Sequence, residues 1–408
     1  MDADQIEMPV FQFIFGILPL TCGAQRAFIA FVTPQFSLSF YPPLFQGFAF
    51  VLGAIVGSFL NVVIYRLPLN MSVNTPRRSF CPHCKHQIPF HQNIPLFSWI
   101  VLRARCAKCG AKIPFRYFAV ELLTALLFLA IWNVCLQGGG LALVLPLWVL
   151  ASLLIAATFI DFDHFIIPDE ITLGGTAAGL LFSFIFPSLM GAESHWLGLA
   201  WSLAGAVLGY GLLWGVVELG KLAFGKKKLV FNPPAEFVWT RKNDDAEFAV
   251  GEEKMLWSDI FSRESDLMIM EAKGVKLDEK PAGEDTLRFH YNRLMLPGGE
   301  VMLDTLDIIK GKVAKIVIPR EAMGFGDVKF IACIGAFLGW KAVLFTVVAA
   351  SVFGSLVGIA LMITNRRDAS GRIPFGPYLA LGALLWIFAG PLILDWYWQF
   401  LVPPGRTL

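Results

Sequence analysis

The chain has 408 residues, is 56% hydrophobic and 16% charged, and has a mean hydropathy of +0.63 and a formal net charge of +2. Soluble globular domains carry about 25% charged residues, so the composition excludes a wholly soluble protein. Eighteen of the 31 acidic residues fall between Lys226 and Glu321 together with 16 bases, a mixed balance that excludes a basic nucleic-acid surface and marks a soluble insert in an otherwise apolar chain.

Residues 1–43 form an N-terminal extension of unclear role. Its apolar stretch from Val10 to Val32 is interrupted by Pro19, Gln25 and Arg26, without the basic start or cleavage site of a signal peptide. A membrane-surface segment, an extra span and an over-extended start all stay open for it. Beyond it, apolar runs of about 20 residues, the length of one bilayer crossing, occur at 44–65, 117–137, 142–161, 171–190, 197–220, 326–341, 342–363 and 374–396. They predict a polytopic α-helical membrane protein of about eight transmembrane helices. The loop from Arg66 to Arg116 carries nine Lys or Arg and no acid, Lys226, Lys227 and Lys228 follow the fifth run, and Arg366, Arg367 and Arg372 follow the seventh. Basic loops face the cytoplasm, and eight spans put all three clusters on that side.

The first transmembrane helix, 44–66, leads into the cytoplasmic loop 67–116. There Cys81-Pro82-His83-Cys84 and Cys106-Ala107-Lys108-Cys109 are separated by 21 residues. Two such pairs close a tetrahedral thiolate site for structural zinc, with Cys81, Cys84, Cys106 and Cys109 as ligands. Two disulfides are the rival reading, disfavoured because cytoplasmic thiols stay reduced. His83, His86 and His91 read as surface residues, and Cys22, Cys135 and Cys333 as small apolar packing residues.

Helices two to five, 117–225, contain the string Ile160-Asp161-Phe162-Asp163-His164-Phe165-Ile166-Ile167-Pro168-Asp169. Asp161 ends an apolar run. Asp169 and Glu170 suit the start of the next helix, and Asp163 reads as facing the cytoplasm. Glu121, one turn inside the second span, is a second-rank site candidate or the partner of a buried cation, and Glu218 reads as interfacial. Gly53, Gly57 and Asn61 share a helical stripe, as do Gly205 with Gly209 and Gly211 with Gly215, spacings that let membrane helices meet closely.

The insert, 226–321, alternates polar and apolar residues in Leu287–Tyr291 and Lys312–Ile318, so a small β-rich domain is expected. Helices six to eight, 322–396, open on Met323-Gly324-Phe325-Gly326-Asp327-Val328-Lys329, and a tail, 397–408, ends the chain. Asp161 and Asp327 fall at the cytoplasmic ends of their helices. Ionisable groups at membrane depth are costly and usually functional, although either carboxylate alone also fits a structural role at a helix end. As a pair they can share one proton and activate a water. Gly324 and Gly326 leave the backbone before Asp327 open to the close approach of a substrate strand.

Several strings together resemble the type IV prepilin peptidases. They are Gly57-Ser58-Phe59-Leu60-Asn61 through Arg66-Leu67-Pro68, the paired Cys-x-x-Cys loop, Asn93-Ile94-Pro95, Ile160-Asp161 with Pro168-Asp169, and Gly324-Phe325-Gly326-Asp327-Val328-Lys329. The resemblance covers 44–225 and 322–396, and implies Asp161 and Asp327 as the catalytic aspartates of a peptidase that removes prepilin or pseudopilin leaders after glycine. It also implies S-adenosylmethionine as donor for methylation of the new amino terminus, with no donor site legible here, and a multi-pass location in a bacterial inner membrane, with membrane lipid around the spans and the active site facing the cytoplasm. The insert of about 95 residues and the extension depart from the family pattern. The insert reads either as a gate or docking site for a pilus or secretion component or as an inert addition. Two other classes remain to be weighed: a presenilin-like protease cutting inside the membrane, and a non-enzymatic scaffold or transporter with a zinc-bound loop.

Overall fold

The computed structural model describes residues 42–401 apart from 77–78, 82, 139, 225, 243–244, 252, 262–266, 279, 282–285, 297–298, 320–323 and 365–373. Most of the extension with Cys22, and also Met323, Arg366, Arg367, Arg372 and the end of the tail, lie outside the described residues.

Seven long helices carry the apolar sequence: α1 Pro42–Arg66, α2 Phe115–Gln137, α3 Val144–His164, α4 Asp169–Ile185, α5 His195–Phe224, α6 Phe325–Ile363 and α7 Gly376–Leu401. Among the described residues, six of them, all but α4, are long and apolar enough to cross a membrane. The helix α4 has 17 residues. The sixth and seventh apolar runs both lie in α6, which breaks its helical backbone at Gly339 (φ 77°, ψ 177°), a conformation that favours glycine. On α1 the exposed Leu44, Phe48, Val51, Ile55 and Phe59 form an apolar stripe, which in water would be a liability and in lipid is the solvated face.

The chain divides into two compact units. One runs through Ala156 and takes up Gly179–Ala200 and the chain from Ile387; the other holds Ala157–Ala178 and Trp201–Trp386. In the first, small residues let α1 and α2 pack antiparallel. A Cβ on Gly53 would meet the Ala125 backbone at 2.7 Å and one on Gly57 the Glu121 backbone at 2.7 Å. Four residues further, Asn61 Nδ2 donates to the Tyr117 carbonyl at 2.9 Å. In the second unit Gly205 lies on Gly335 and Gly339, and Gly209 on the Ile331 carbonyl, with Ser202 Oγ donating to the Ala336 carbonyl at 2.6 Å. The expected packing role of Gly211 and Gly215 is not met: a Cβ at either would find open space among the described residues. Their stripe points away from the glycine contact made by Gly205 and Gly209.

The insert is one antiparallel sheet of nine strands: β1 Lys226–Arg241, β2 Ala246–Val250, β3 Glu253–Leu256, β4 Met268–Leu277, β5 Lys280–Pro281, β6 Thr286–Phe289, β7 Arg293–Leu296, β8 Gly299–Met302 and β9 Ile308–Pro319. Their order is β3-β2-β1-β9-β4-β6-β7-β8, with β5 on β4. Alternating strand residues bury Phe237, Trp239, Phe248, Met270 and Phe289 in a core of its own, as period-2 patterning requires, and Trp257 joins them from the short helix Trp257–Ile260. The first strand pairs with the last, Lys226 against Pro319 through Thr240 against Ile308, so chain entry and exit are hydrogen-bonded neighbours. That stem explains how so long an insert is accommodated between two helices. The register slips between Val230 and Ala235, where Pro233 and Pro234 lack the N–H a ladder needs.

Candidate active site

Asp161 lies in the last turn of α3 and is 4% exposed; Asp327 lies in the first turn of α6 and is 5% exposed. The two positions differ electrostatically. A helix N-terminus favours a negative group and a C-terminus disfavours one, so Asp327 is supported by its own helix while Asp161 needs a donor from elsewhere. That donor is the Gly376 backbone N–H, which reaches Asp161 Oδ2 at 2.9 Å. Gly376 opens α7 in the string Pro374-Phe375-Gly376-Pro377, and Pro377 has no N–H to offer. The first available amide of α7 is therefore spent on the carboxylate.

The loop between α3 and α4 ties the pieces together. Ile167 is buried, and a Cβ on Gly326 would approach its backbone nitrogen at 3.2 Å, while one on Gly376 would approach its Cδ1 at 3.0 Å and Asp161 Oδ2 at 2.8 Å. Asp161, Gly376, Ile167 and the Gly326-Asp327 step thus form one chain of contacts within the second unit. The room at Gly326 is taken by the protein's own Ile167, which corrects the expectation that it lies open to a substrate strand. At the rim Lys329 Nζ binds Asp169 Oδ1 at 2.6 Å and lies 5.4 Å from the centre of the Phe325 ring. Asp169 and Glu170 occupy the first turn of α4 as expected, and Asp163 is exposed.

The cysteine loop lies in the first unit. The Sγ atoms of Cys81, Cys84, Cys106 and Cys109 all fall within 4.8 Å of one another, a cluster that could hold a metal ion. Each pair is built by the same turn. The Lys85 N–H returns to the Cys81 carbonyl and the Gly110 N–H to the Cys106 carbonyl; the Cys81 N–H reaches His86 O and the Cys106 N–H reaches Ala111 O. Lys85 and Gly110 both have positive φ, 55° and 72°. Backbone N–H groups of Cys109 and Lys108 pull the Cys106 thiol down to about 6, while burial and the neighbouring Cys106, Cys84 and Cys81 sulfurs hold the Cys109 thiol up at about 11. Thiolates about 2.3 Å from a tetrahedral zinc stand roughly 3.8 Å apart, and Cys81 Sγ lies 3.8 Å from Cys109 Sγ. The donor set fits such an ion. The four cysteines are free thiols, as are the buried Cys135 and Cys333; His83 and His91 are exposed.

Among the described residues Glu121 forms no ion pair with a cation. It accepts the Leu96 N–H at Oε2, 2.7 Å away. Two features escaped sequence reasoning: the Gly376 amide, whose only signal was the proline-flanked glycine at the head of the last span, and the buried Arg66, whose Nη1 donates to the carbonyls of Ser72, Val73 and Pro76 at 3.0–3.2 Å.

The family model "Bacterial Peptidase A24 N-terminal domain" matches residues 51–135, and "Type IV leader peptidase family" matches 148–231 and 298–359. The interruption at 232–297 falls inside the sheet. Curated relatives include a prepilin leader peptidase/N-methyltransferase of Aeromonas hydrophila, 30% identical over 87% of this chain and 94% of its own length. Proteins of the same name from Myxococcus xanthus (32% identical, 89% and 78%) and Stutzerimonas stutzeri (30%, 90% and 99%) also match. No solved structure matched.

Proposed function

Because the chain belongs to the type IV leader peptidase family, we propose that it cleaves the leaders of type IV prepilins or type II secretion pseudopilins after glycine, and methylates the amino terminus so exposed. It is a multi-pass bacterial membrane protein with several helices able to span the bilayer. The observation that carries the peptidase reading is the buried linkage of Asp161 and Asp327 through Gly376 and Ile167.

In this reading the two carboxylates hold one proton between them. The ionised member takes a proton from water as the oxygen attacks the scissile carbonyl carbon, and the neutral member gives its proton to the carbonyl oxygen. Collapse of the tetrahedral adduct breaks the C–N bond, with a proton delivered to the departing amine. S-adenosylmethionine, when bound, supplies an electrophilic methyl group for that amine.

Eight crossings are proposed, with α4 as one and the halves of α6 on either side of Gly339 as two, which keeps the basic loops and both aspartates on the cytoplasmic side of an inner membrane. The domain limits follow the same scheme: extension to 43, first helix to 66, cysteine loop to 116, four helices to 225, insert to 321, three helices to 396, then the tail. The insert is assigned the docking of a pilus or secretion component, on the strength of its own core and its place immediately before Asp327.

The full-length protein in liposomes, given a peptide with a short basic leader ending in glycine ahead of an apolar helix, is expected to cut once after that glycine. Mass spectrometry of the product decides. A new terminus within the apolar segment would overturn the topology or the active pair, and would favour the presenilin-like alternative.

The cysteine cluster is proposed to hold zinc in a structural role. A loop of some 50 residues with little apolar core needs such a staple. Purified protein should carry about one zinc per chain, and Cys81→Ser with Cys84→Ser should lose it, with a destabilised loop. Full metal content in the double variant would overturn the assignment.

A further inference from the structure

Arg66 ends α1 and is 3% exposed. Its Nη1 donates to the carbonyls of Ser72, Val73 and Pro76, and its guanidinium carbon stands 5.8 Å from the centre of the Phe80 ring. These partners are dipoles and a ring face; none carries a full negative charge. Neither α1 nor the loop from Arg66 to Arg116 contains an Asp or Glu. Among the described residues no carboxylate pairs with Arg66, and nothing bonds its Nε or Nη2. Glu121, the first acid after the loop, is held by the Leu96 N–H instead. An arginine keeps its charge at any working pH, and a buried charge left without a counter-charge is costly. The missing anion has to come from outside the chain.

A cavity of about 150 Å³ opens on this guanidinium, lined by Phe59, Val62, Arg66, Val73, Asn74 and Ser79. That is below the roughly 300–1,000 Å³ of small-molecule sites, so it suits one small charged group rather than a whole ligand. Its place on the helix says what else the ligand carries. Residues 59, 62 and 66 are spaced i, i+3 and i+7, one face of a helix, and they continue the exposed apolar stripe of Leu44, Phe48, Val51, Ile55 and Phe59. The lipid-facing side of α1 therefore runs straight into the cavity. Ten residues of helix rise about 15 Å, half of a hydrocarbon core of about 30 Å. One acyl chain of the adjoining leaflet thus reaches from Arg66 past Val62 and Phe59 to Ile55.

An anion with an apolar tail at this depth is a phospholipid. The headgroup is selected by charge, because the loop holds nine Lys or Arg and no acid. Ethanolamine would bring a further cation into that surrounding, whereas glycerol brings only hydroxyls, for which Asn74 and Ser79 offer polar partners. We propose that this cavity binds the phosphate of an anionic phospholipid of the phosphatidylglycerol type, with Arg66 as its counter-ion and the α1 stripe as the bed of its acyl chain. Because Arg66 also holds the strap from Ser72 to Pro76, the lipid ties the start of the cysteine loop to the membrane surface.

The test uses the full-length protein, stripped of lipid in neutral detergent and then given dioleoyl phosphatidylglycerol or dioleoyl phosphatidylethanolamine. Native mass spectrometry counts the lipid bound, and thermal unfolding follows its effect. The wild type should retain one phosphatidylglycerol with at least tenfold preference over phosphatidylethanolamine, and only the former should raise its unfolding temperature. Arg66→Gln should lose the preference, but it also loosens the strap, so Asn74→Asp is the sharper variant. It leaves Arg66 and its carbonyl bonds in place and puts a carboxylate into the cavity. Lipid-free Asn74→Asp should unfold at a higher temperature than lipid-free wild type, and phosphatidylglycerol should raise it no further. Undiminished preference for phosphatidylglycerol in Asn74→Asp, or equal uptake of the two lipids by the wild type, overturns the proposal. Stabilisation by inorganic phosphate equal to that by phosphatidylglycerol also overturns it, since the site would then take an anion without a lipid.

Discussion

Asp327→Asn and Asp161→Asn are each expected to lower leader cleavage by about a thousandfold or more while the protein remains inserted and folded. Losing one member of a catalytic unit removes most of what the unit supplies. Asparagine keeps the size and can still accept a hydrogen bond, so the Gly376 N–H is not stranded by Asp161→Asn. What it cannot do is exchange a proton with water or with the scissile carbonyl. The loss should therefore appear in kcat, with KM little changed and thermal unfolding close to wild type. Asp169→Asn gives the contrast. Its partner Lys329 lies at the exposed rim, with side chains 23% and 57% accessible for the lysine and the acid, and exposed ion pairs contribute little. A modest effect is expected there and at the exposed Asp163. Wild-type cleavage by Asp161→Asn or Asp327→Asn would end the aspartic mechanism, and a total loss at Asp163 or Asp169 would require another pair.

Much of this site was legible because residue identity carried it. Two Cys-x-x-Cys pairs specify converging thiolates, and the structure builds both with one turn geometry. The apolar runs located the helices, because a bilayer requires length and hydropathy that can be counted; alternation in Lys312–Ile318 marked what is now the central strand β9. What stayed hidden depends on backbone and on pairing at long range. A main-chain N–H is the same group in nearly every residue, so nothing in Pro374-Phe375-Gly376-Pro377 announced that its amide would serve Asp161, 215 positions away in sequence. The Gly324-Phe325-Gly326 step suggested space, and space was there, but Ile167 fills it at Gly326. The cavity at Arg66 was hidden too, because main-chain carbonyls of Ser72, Val73 and Pro76 fix its guanidinium. Glycine spacing alone could not tell the contacting stripe of Gly205 and Gly209 from the open one of Gly211 and Gly215.

Gly376→Ala should cost cleavage on the order of a hundredfold, the effect expected when a reacting group is displaced by about 1 Å. The added methyl would fall 2.8 Å from Asp161 Oδ2 and 3.0 Å from Ile167 Cδ1, and the first is closer than carbon and oxygen can stand without movement. Three adjustments are open. The carboxylate can rotate away, α7 can withdraw its first turn, or Ile167 can shift. The first two lengthen the 2.9 Å bond from the Gly376 amide, and with it goes the donor that offsets the unfavourable end of α3. The third moves the residue that also packs on Gly326, next to Asp327. Every route disturbs one carboxylate or both. Packing loss must be separated from this, and Gly382→Ala does so. A methyl there would meet the Thr346 carbonyl at 2.9 Å, a comparable clash on the same helix but against no carboxylate. Gly382→Ala is expected to lower thermal stability and leave kcat within a few-fold of wild type, whereas Gly376→Ala should lower kcat far beyond any change in stability. Equal kcat losses in the two variants would show that the helix contact alone matters. Wild-type kcat in Gly376→Ala would show that the amide does not hold Asp161 in its working position.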